Sequence, residues 1–239
     1  MQFSLAKFLM SSSKILALDC STEYCSVALR MGAQTISRVD RAGQRHSELL
    51  LPMIDEVLVE AGVALTDLNG IAFGAGPGSF TGLRIACGVA QGLAFGVDLP
   101  VVGVTTLLAL AEATTAPRVV AILDARMGEI YVAAYEKVNG EWQTVISPCL
   151  TKPAVAPTLP GINWYAVGSG FAAHGEVLCS RYGVQPSHVD AEAYPNAVYV
   201  AALAEKKFAA GEQGLIAQAL PVYVRDKVAL TEQERGVAP

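Results

Sequence analysis

Charge is scarce in this sequence. Asp, Glu, Lys and Arg make up 16% of its residues, and they balance at -5. A chain that grips nucleic acid by itself carries a basic patch or stripe. The acidic balance excludes that mode of binding, though not membership of a complex that holds RNA. Histidine is scarcer still: there are 3 (His46, His174 and His188). None comes with a nucleophile elbow or zinc-protease motif, so independent peptidase activity is not expected. The 5 cysteines, Cys20, Cys25, Cys87, Cys149 and Cys179, are odd in number and form no C-x-x-C. That argues against a zinc knuckle or a complete disulfide framework and for a reducing cytoplasm. Cys20 and Cys87 lie in apolar runs and read as inert core residues.

A basic n-region and an A-x-A cleavage site are missing from the apolar start, Met1 to Met10. Residues 1–13 are therefore read as an extension outside the fold. The longest apolar stretch, Ile85 to Val104, is interrupted by Asp98 and Pro100. It is expected to be a buried helix followed by a strand, not a membrane span. What the chain has in abundance is apolar surface, with a 52% hydrophobic share over 239 residues. That is enough for one large domain or two of roughly 100 residues each.

The densest local signal is Phe73-Gly74-Ala75-Gly76-Pro77-Gly78-Ser79-Phe80-Thr81-Gly82-Leu83-Arg84. An apolar run, Asn69 to Phe73, reads as a buried strand before it, and Leu83 to Val97 has helical spacing after it. Gly76, Pro77, Gly78 and Gly82 make a sharp turn, and Ser79 or Thr81 can accept the first free N–H groups of the helix. Such a turn can present backbone donors to an anion. It can equally be a tight corner whose glycines only allow close packing. Neither G-x-x-x-x-G-K-[ST] nor G-x-G-x-x-G is present here to separate the two readings.

Before the turn, Lys14 to Asp19 is a compact apolar strand ending in a carboxylate. Cys25 to Arg30 and Gln34 to Val39 are expected to add two antiparallel strands. From Ser47 to Ala61, Leu50, Leu51, Ile54, Leu58 and Ala61 recur at helical spacing, with Gly62 as the stop. Pro100 to Val104 then reads as a strand and Thr106 to Ala113 as a short helix. After that the order of elements repeats. Arg118 to Asp124 is again an apolar strand ending in Asp, and Tyr131 to Lys137 and Trp142 to Ile146 flank an Asn139-Gly140 hairpin turn. Placing Asp124 on Asp19 puts Val132-Ala133 on Val27-Ala28. Four prolines between Ser147 and Gly161 suggest an extended connection. A strand from Asn163 to Val167 leads into Gly168-Ser169-Gly170, followed by helices at 171–181 and 196–210.

Ile15 to Asp19, Arg45-His46-Ser47-Glu48-Leu49-Leu50-Leu51-Pro52, the glycine stretch and Pro221-Val222-Tyr223-Val224-Arg225 together resemble the TsaB (YeaZ) family. The resemblance runs from about Lys14 to Arg225. It implies an α/β fold of two actin-like (ASKHA, ribonuclease-H-like) halves, mixed sheets flanked by helices, the second half reduced. The expected division is residues 14–115, residues 116–195 and a loose tail at 226–239, with helix 196–210 packing back on the first half. It further implies a non-catalytic cytoplasmic subunit that binds TsaD, with TsaE, for N6-threonylcarbamoylation of adenosine 37 in tRNAs reading ANN codons. The tRNA would be met only through that complex. The alternative is a stand-alone ATPase or small-metabolite kinase of the same fold.

Site expectations follow from the resemblance. TsaD holds its metal with His-x-Glu-x-His on a helix. Here the matching run is His46-Ser47-Glu48-Leu49-Leu50, and leucine cannot replace the second ligand. No metal, cofactor or catalytic residue is expected. In actin-like kinases the Asp-led hairpins and a glycine turn hold nucleotide, which maps a vestigial site to Asp19, Asp124, Gly168 and Gly170. Ser21-Thr22-Glu23-Tyr24 lacks the glycine such a hairpin needs. The partner interface is expected on two helices, at His46, Leu50, Leu51, Ile54, Gly88, Gly92 and Gly96. A homodimer of the free chain would use the same surface. The three glycines recur every four residues and so share a helix face.

Overall fold

The structure, a computed structural model, describes residues 13–213 and 216–225. Of the expected extension, residues 1–12 lie outside the described residues, as does the expected tail from 226, whereas Ser13 is buried and donates its hydroxyl to Glu205 at 2.9 Å, so it belongs to the fold. Two five-stranded mixed sheets form the frame. The first contains β1 (Lys14–Asp19), β2 (Tyr24–Met31), β3 (Gln34–Arg41), β4 (Gly70–Gly76) and β5 (Val101–Thr105). The second contains β6 (Arg118–Arg126), β7 (Glu129–Val138), β8 (Glu141–Thr151), β9 (Tyr165–Val167) and β10 (Val189–Asp190). Their orders are β3-β2-β1-β4-β5 and β10-β9-β6-β7-β8. Read from β8, the second repeats the first strand for strand: an antiparallel meander, then two parallel strands. This is the actin-like arrangement.

The helices are α1 (His46–Ala61), α2 (Phe80–Val97), α3 (Thr106–Glu112), α4 (Ser169–Tyr182) and α5 (Ala197–Ala209). Where α1 joins β3 to β4 in the first half, the second has only a single 3-10 turn, Pro153–Val155. Alternation along each strand sends side chains to opposite faces. In the first sheet Leu16, Leu18, Val27, Leu29, Ile71 and Phe73 meet α1 and α2 in one core cluster. Ile15, Ala17, Ala28, Ala72, Val102 and Val104 face the other way and pack against Ala197, Val200, Ala201 and Ala204 of α5. Alanine on both surfaces lets α5 lie close on the sheet. Reciprocally, Leu107 and Leu110 of α3 pack against Val119, Ala121, Leu123 and Ala133 of the second sheet. Each half thus lends its last helix to the other.

Three local readings change. The tract from Ser147 is not a free connection, because β8 continues to Thr151 and carries Pro148 within it. Proline is tolerated there because β8 is an edge strand and the pairing slips between Val132↔Cys149 and Ala134↔Ile146. The equivalence of Val132-Ala133 with Val27-Ala28 is off by one. Leu18 pairs with Val27, whereas Leu123 pairs with Tyr131, so the second hairpin is one residue shorter. Strand β10 had no sequence signal, since two residues carry no periodicity. The Asn139-Gly140 turn has both φ values positive, 53° and 85°, the geometry of a two-residue hairpin loop.

Candidate functional site

The glycine turn closes on the chain itself. Ser79 caps α2, its hydroxyl accepting the Gly82 N–H at 3.3 Å. The Ser79 N–H donates to the Ser21 carbonyl at 2.7 Å, and Thr106 donates its hydroxyl to the Pro77 carbonyl. A Cβ at Gly78 would stand 2.4 Å from the Ser21 oxygen, and one at Gly82 would stand 1.8 Å from the Cys20 oxygen. These glycines therefore bring the start of α2 backbone to backbone against the β1–β2 turn. Two donors that an anion would need, the Ser79 and Gly82 N–H groups, are spent inside the fold, and the close approach is the geometry of a corner. Thr81 and Arg84 remain at the surface.

Asp19 lies beneath this corner, 1% exposed. Its Oδ1 accepts the Ser21 N–H at 2.9 Å and the Ser21 hydroxyl at 2.7 Å. Oδ2 is buried without a hydrogen-bond partner, over Gly74, where a Cβ would meet it at 1.9 Å. Burial raises the carboxyl pKa from 3.8 to about 6, against the lowering effect of the Ser21 hydrogen bonds and of charge on His46. The His46 ring is itself buried, and its Nε2 donates to the Thr22 carbonyl at 2.9 Å. It ties the start of α1 to the same turn. Among the described residues no group of three or more His, Cys, Asp or Glu side chains could hold a metal.

The second half treats its aspartate differently. Asp124 Oδ1 accepts the Arg126 N–H at 3.0 Å, Oδ2 pairs with the Arg126 guanidinium at 3.1 Å, and His174 Nε2 stands 3.9 Å from Oδ1. Gly168 and Gly170 pack on β6. Their Cβ atoms would each come within 2.3 Å of Ile122, at its carbonyl oxygen and Cγ2 respectively. Among the described residues the partners of Asp19 lie in the first half and those of Asp124 in the second, and no contact there joins the two.

The expected interface residues divide between core and surface. His46, Leu50 and Ile54 are buried, with Leu50 at 0% exposure, so they are corrected from interface to core. Their spacing along α1 places them on the stripe that faces the first sheet, together with Met53 and Val57. Leu51 is 52% exposed and Val59 71% exposed on the opposite face. On α2 the buried stripe is Leu83, Ala86, Cys87, Ala90 and Ala94. Gly88, Gly92 and Gly96 are exposed, with nothing within 4 Å of a Cβ at any of them. Phe95, which the sequence reading missed, projects beside them at 82% exposure. An aromatic set among small residues was the one signal that marked it.

The class is defined by this fold and by comparison. A family model described as TsaD, tRNA N6-adenosine threonylcarbamoyltransferase, matches residues 39–231. Within that class the chain belongs to the TsaB (YeaZ) family. It is 39% identical to the tRNA threonylcarbamoyladenosine biosynthesis protein TsaB of Escherichia coli over 90% of this chain and 96% of that protein. It is 38% identical to TsaB of Haemophilus influenzae, over 92% and 96%. A solved structure of YeaZ from Pseudomonas aeruginosa superposes with a TM-score of 0.81 at 41% identity, covering 88% of this chain and 99% of that one. A second, described as a protein with similarity to peptidase YeaZ from the same organism, gives 0.82 at 40% identity, over 89% and 100%.

Proposed function

We propose that this chain is a non-catalytic subunit for making N6-threonylcarbamoyladenosine in tRNA, acting in the cytoplasm by docking on TsaD through the outer face of α1 and α2. Its relatives are named for that pathway. TsaE and adenosine 37 of ANN-decoding tRNAs belong to the same reading, and tRNA is met only through the complex. The observation that carries the docking surface is the open glycine stripe of α2 beside Phe95, together with the exposed Leu51 and Val59 of α1. Each glycine inside a helix costs about 1 kcal/mol against alanine. Close packing on the chain's own sheet does not offset that cost here, because the stripe faces outward. Missing side chains allow another helix to approach closely, and a homodimer of the free chain would use the same face. Gly92→Leu should leave the monomer folded while removing the complex with TsaD in size-exclusion and calorimetric titrations. A variant that binds TsaD as tightly as the parent would place the interface elsewhere. Full reconstitution with TsaD, TsaE, tRNA and threonylcarbamoyl-adenylate should require the chain, while the chain alone with Mg-ATP should show no turnover.

A further inference from the structure

Residues 216–225 form a strap from the first half to the second. The strap first lies along α2. Cys87 donates its thiol to the Ala219 carbonyl at 3.1 Å, and the Gln91 amide donates to the carbonyls of Ala219 at 3.0 Å and Ile216 at 3.2 Å. It next reaches the end of β4, where the Val222 N–H donates to the Ala75 carbonyl at 2.7 Å. Gly76 is required at that crossing, since a Cβ there would stand 2.8 Å from the Val222 oxygen. Arg84 then lies 3.8 Å over the Phe80 ring and donates Nε–H to the Tyr223 hydroxyl at 3.0 Å.

The far end is held by one side chain. Arg225 Nη2 donates to the Ala125 carbonyl at 3.0 Å and pairs with Glu129 at 2.7 Å, and Nη1 meets the Met127 sulfur at 3.2 Å. All three belong to the β6–β7 hairpin. A cavity of about 40 Å³ lies beneath the crossing, lined by Pro77, Gly78, Leu83, Tyr131 and Val222 among others. The strap therefore roofs a gap between the halves and does not fill a packed core. Val222 and Tyr223 are 49% and 46% exposed above it.

We propose that this strap is a releasable latch. Its α2 end is seated by the Cys87 and Gln91 side chains on two strap carbonyls and by the Val222–Ala75 backbone bond. Its Arg225 end clips the β6–β7 hairpin to the strap, while α3 and α5 hold the two sheets together. Unclipping Arg225 frees the β6–β7 hairpin to move relative to α2, without unfolding either sheet. Since α2 also carries the outer glycine face, release would couple the second half to whatever occupies that face. The coupling rests on the proposed docking surface, but the latch itself does not.

The test is hydrogen exchange by mass spectrometry on the full chain without partner, comparing the parent with Arg225→Ala and Glu129→Ala. Both variants should raise exchange at least about tenfold at the Val222 amide and in residues 125–129, the factor that one charge-assisted hydrogen bond contributes. Amides of β1 and of the central part of β6 should keep their parental rates. Parental exchange at Val222 and in the hairpin in both variants would overturn the latch. So would a uniform loss of protection through both sheets, because the strap would then be part of the global core. Failure of TsaD binding by Gly92→Leu with an unchanged exchange pattern would concern the docking face alone.

Discussion

Replacing Asp19 with asparagine removes a charge while nearly preserving the side chain's shape. The parental carboxyl is raised from 3.8 to about 6 because it is buried, with Oδ2 unpartnered. A carboxyl raised on folding contributes stability that is fully present below its unfolded value and is lost as pH rises through its folded value. The window is therefore about pH 4 to pH 7, and within it the parent loses about 2 to 3 kcal/mol from this group. The asparagine variant keeps an oxygen to accept both Ser21 donors and has no proton to lose. Its own cost, an unpaired amide N–H₂ over Gly74, is independent of pH. Urea unfolding of both proteins at pH 4.5, 5.5, 6.5 and 7.5 isolates the term, because contributions from other carboxylates cancel in the difference. The variant should gain on the parent by about 2 kcal/mol or more across that range, or roughly 4 to 8 °C in Tm for a chain of this size. A difference that stays constant with pH would refute the reasoning, since Asp19 would then ionise as freely folded as unfolded.

Leu50→Ala should destabilise by about 2 to 5 kcal/mol, and Leu51→Ala by well under about 1 kcal/mol, in denaturant unfolding, because only Leu50 is in the core. Gly88→Ala should raise the stability of the free chain by about 0.4 to 1 kcal/mol, since the helix gains and nothing obstructs the methyl. Gly168→Ala should lower it by more than that, because φ is 103° and the Ile122 carbonyl is in the way. Truncation at Pro195 removes α5 from the face of the first sheet. It should lower the melting temperature of that half, and an unchanged transition would mean α5 is dispensable there.

Much of the secondary structure was legible because it is encoded locally. A compact apolar run marked β1, alternation marked β2, helical spacing marked α1, and Gly62 ended that helix in the left-handed conformation. The cap of α2 was legible at Ser79, with Thr81 as the other choice, and the Gly82 N–H bond to the Ser79 hydroxyl decides between them, so the helix begins at Phe80, three residues before its apolar spacing does. His46 illustrates the limit from the other side. Its place at a helix start was readable, but its ring is engaged by the Thr22 carbonyl across the β1–β2 turn. No spacing reports such a contact. Glu129 carried no signal either, because its partner Arg225 lies far along the chain and the two meet only through the strap.

The sequence by itself determined the family and the repeated order of elements, because motif spacing and periodicity are properties of adjacent residues. It also determined that α2 carries a glycine stripe. Which way that stripe faces was decided by the tertiary structure, which turned Leu83, Ala86, Cys87, Ala90 and Ala94 to the sheet and left Gly88, Gly92 and Gly96 outward. The same holds for Leu50 and Leu51, adjacent and chemically identical, one buried and one exposed. The orientation of a helix about its axis is set by summed burial against a sheet built from distant strands. That sum does not exist until those strands have paired.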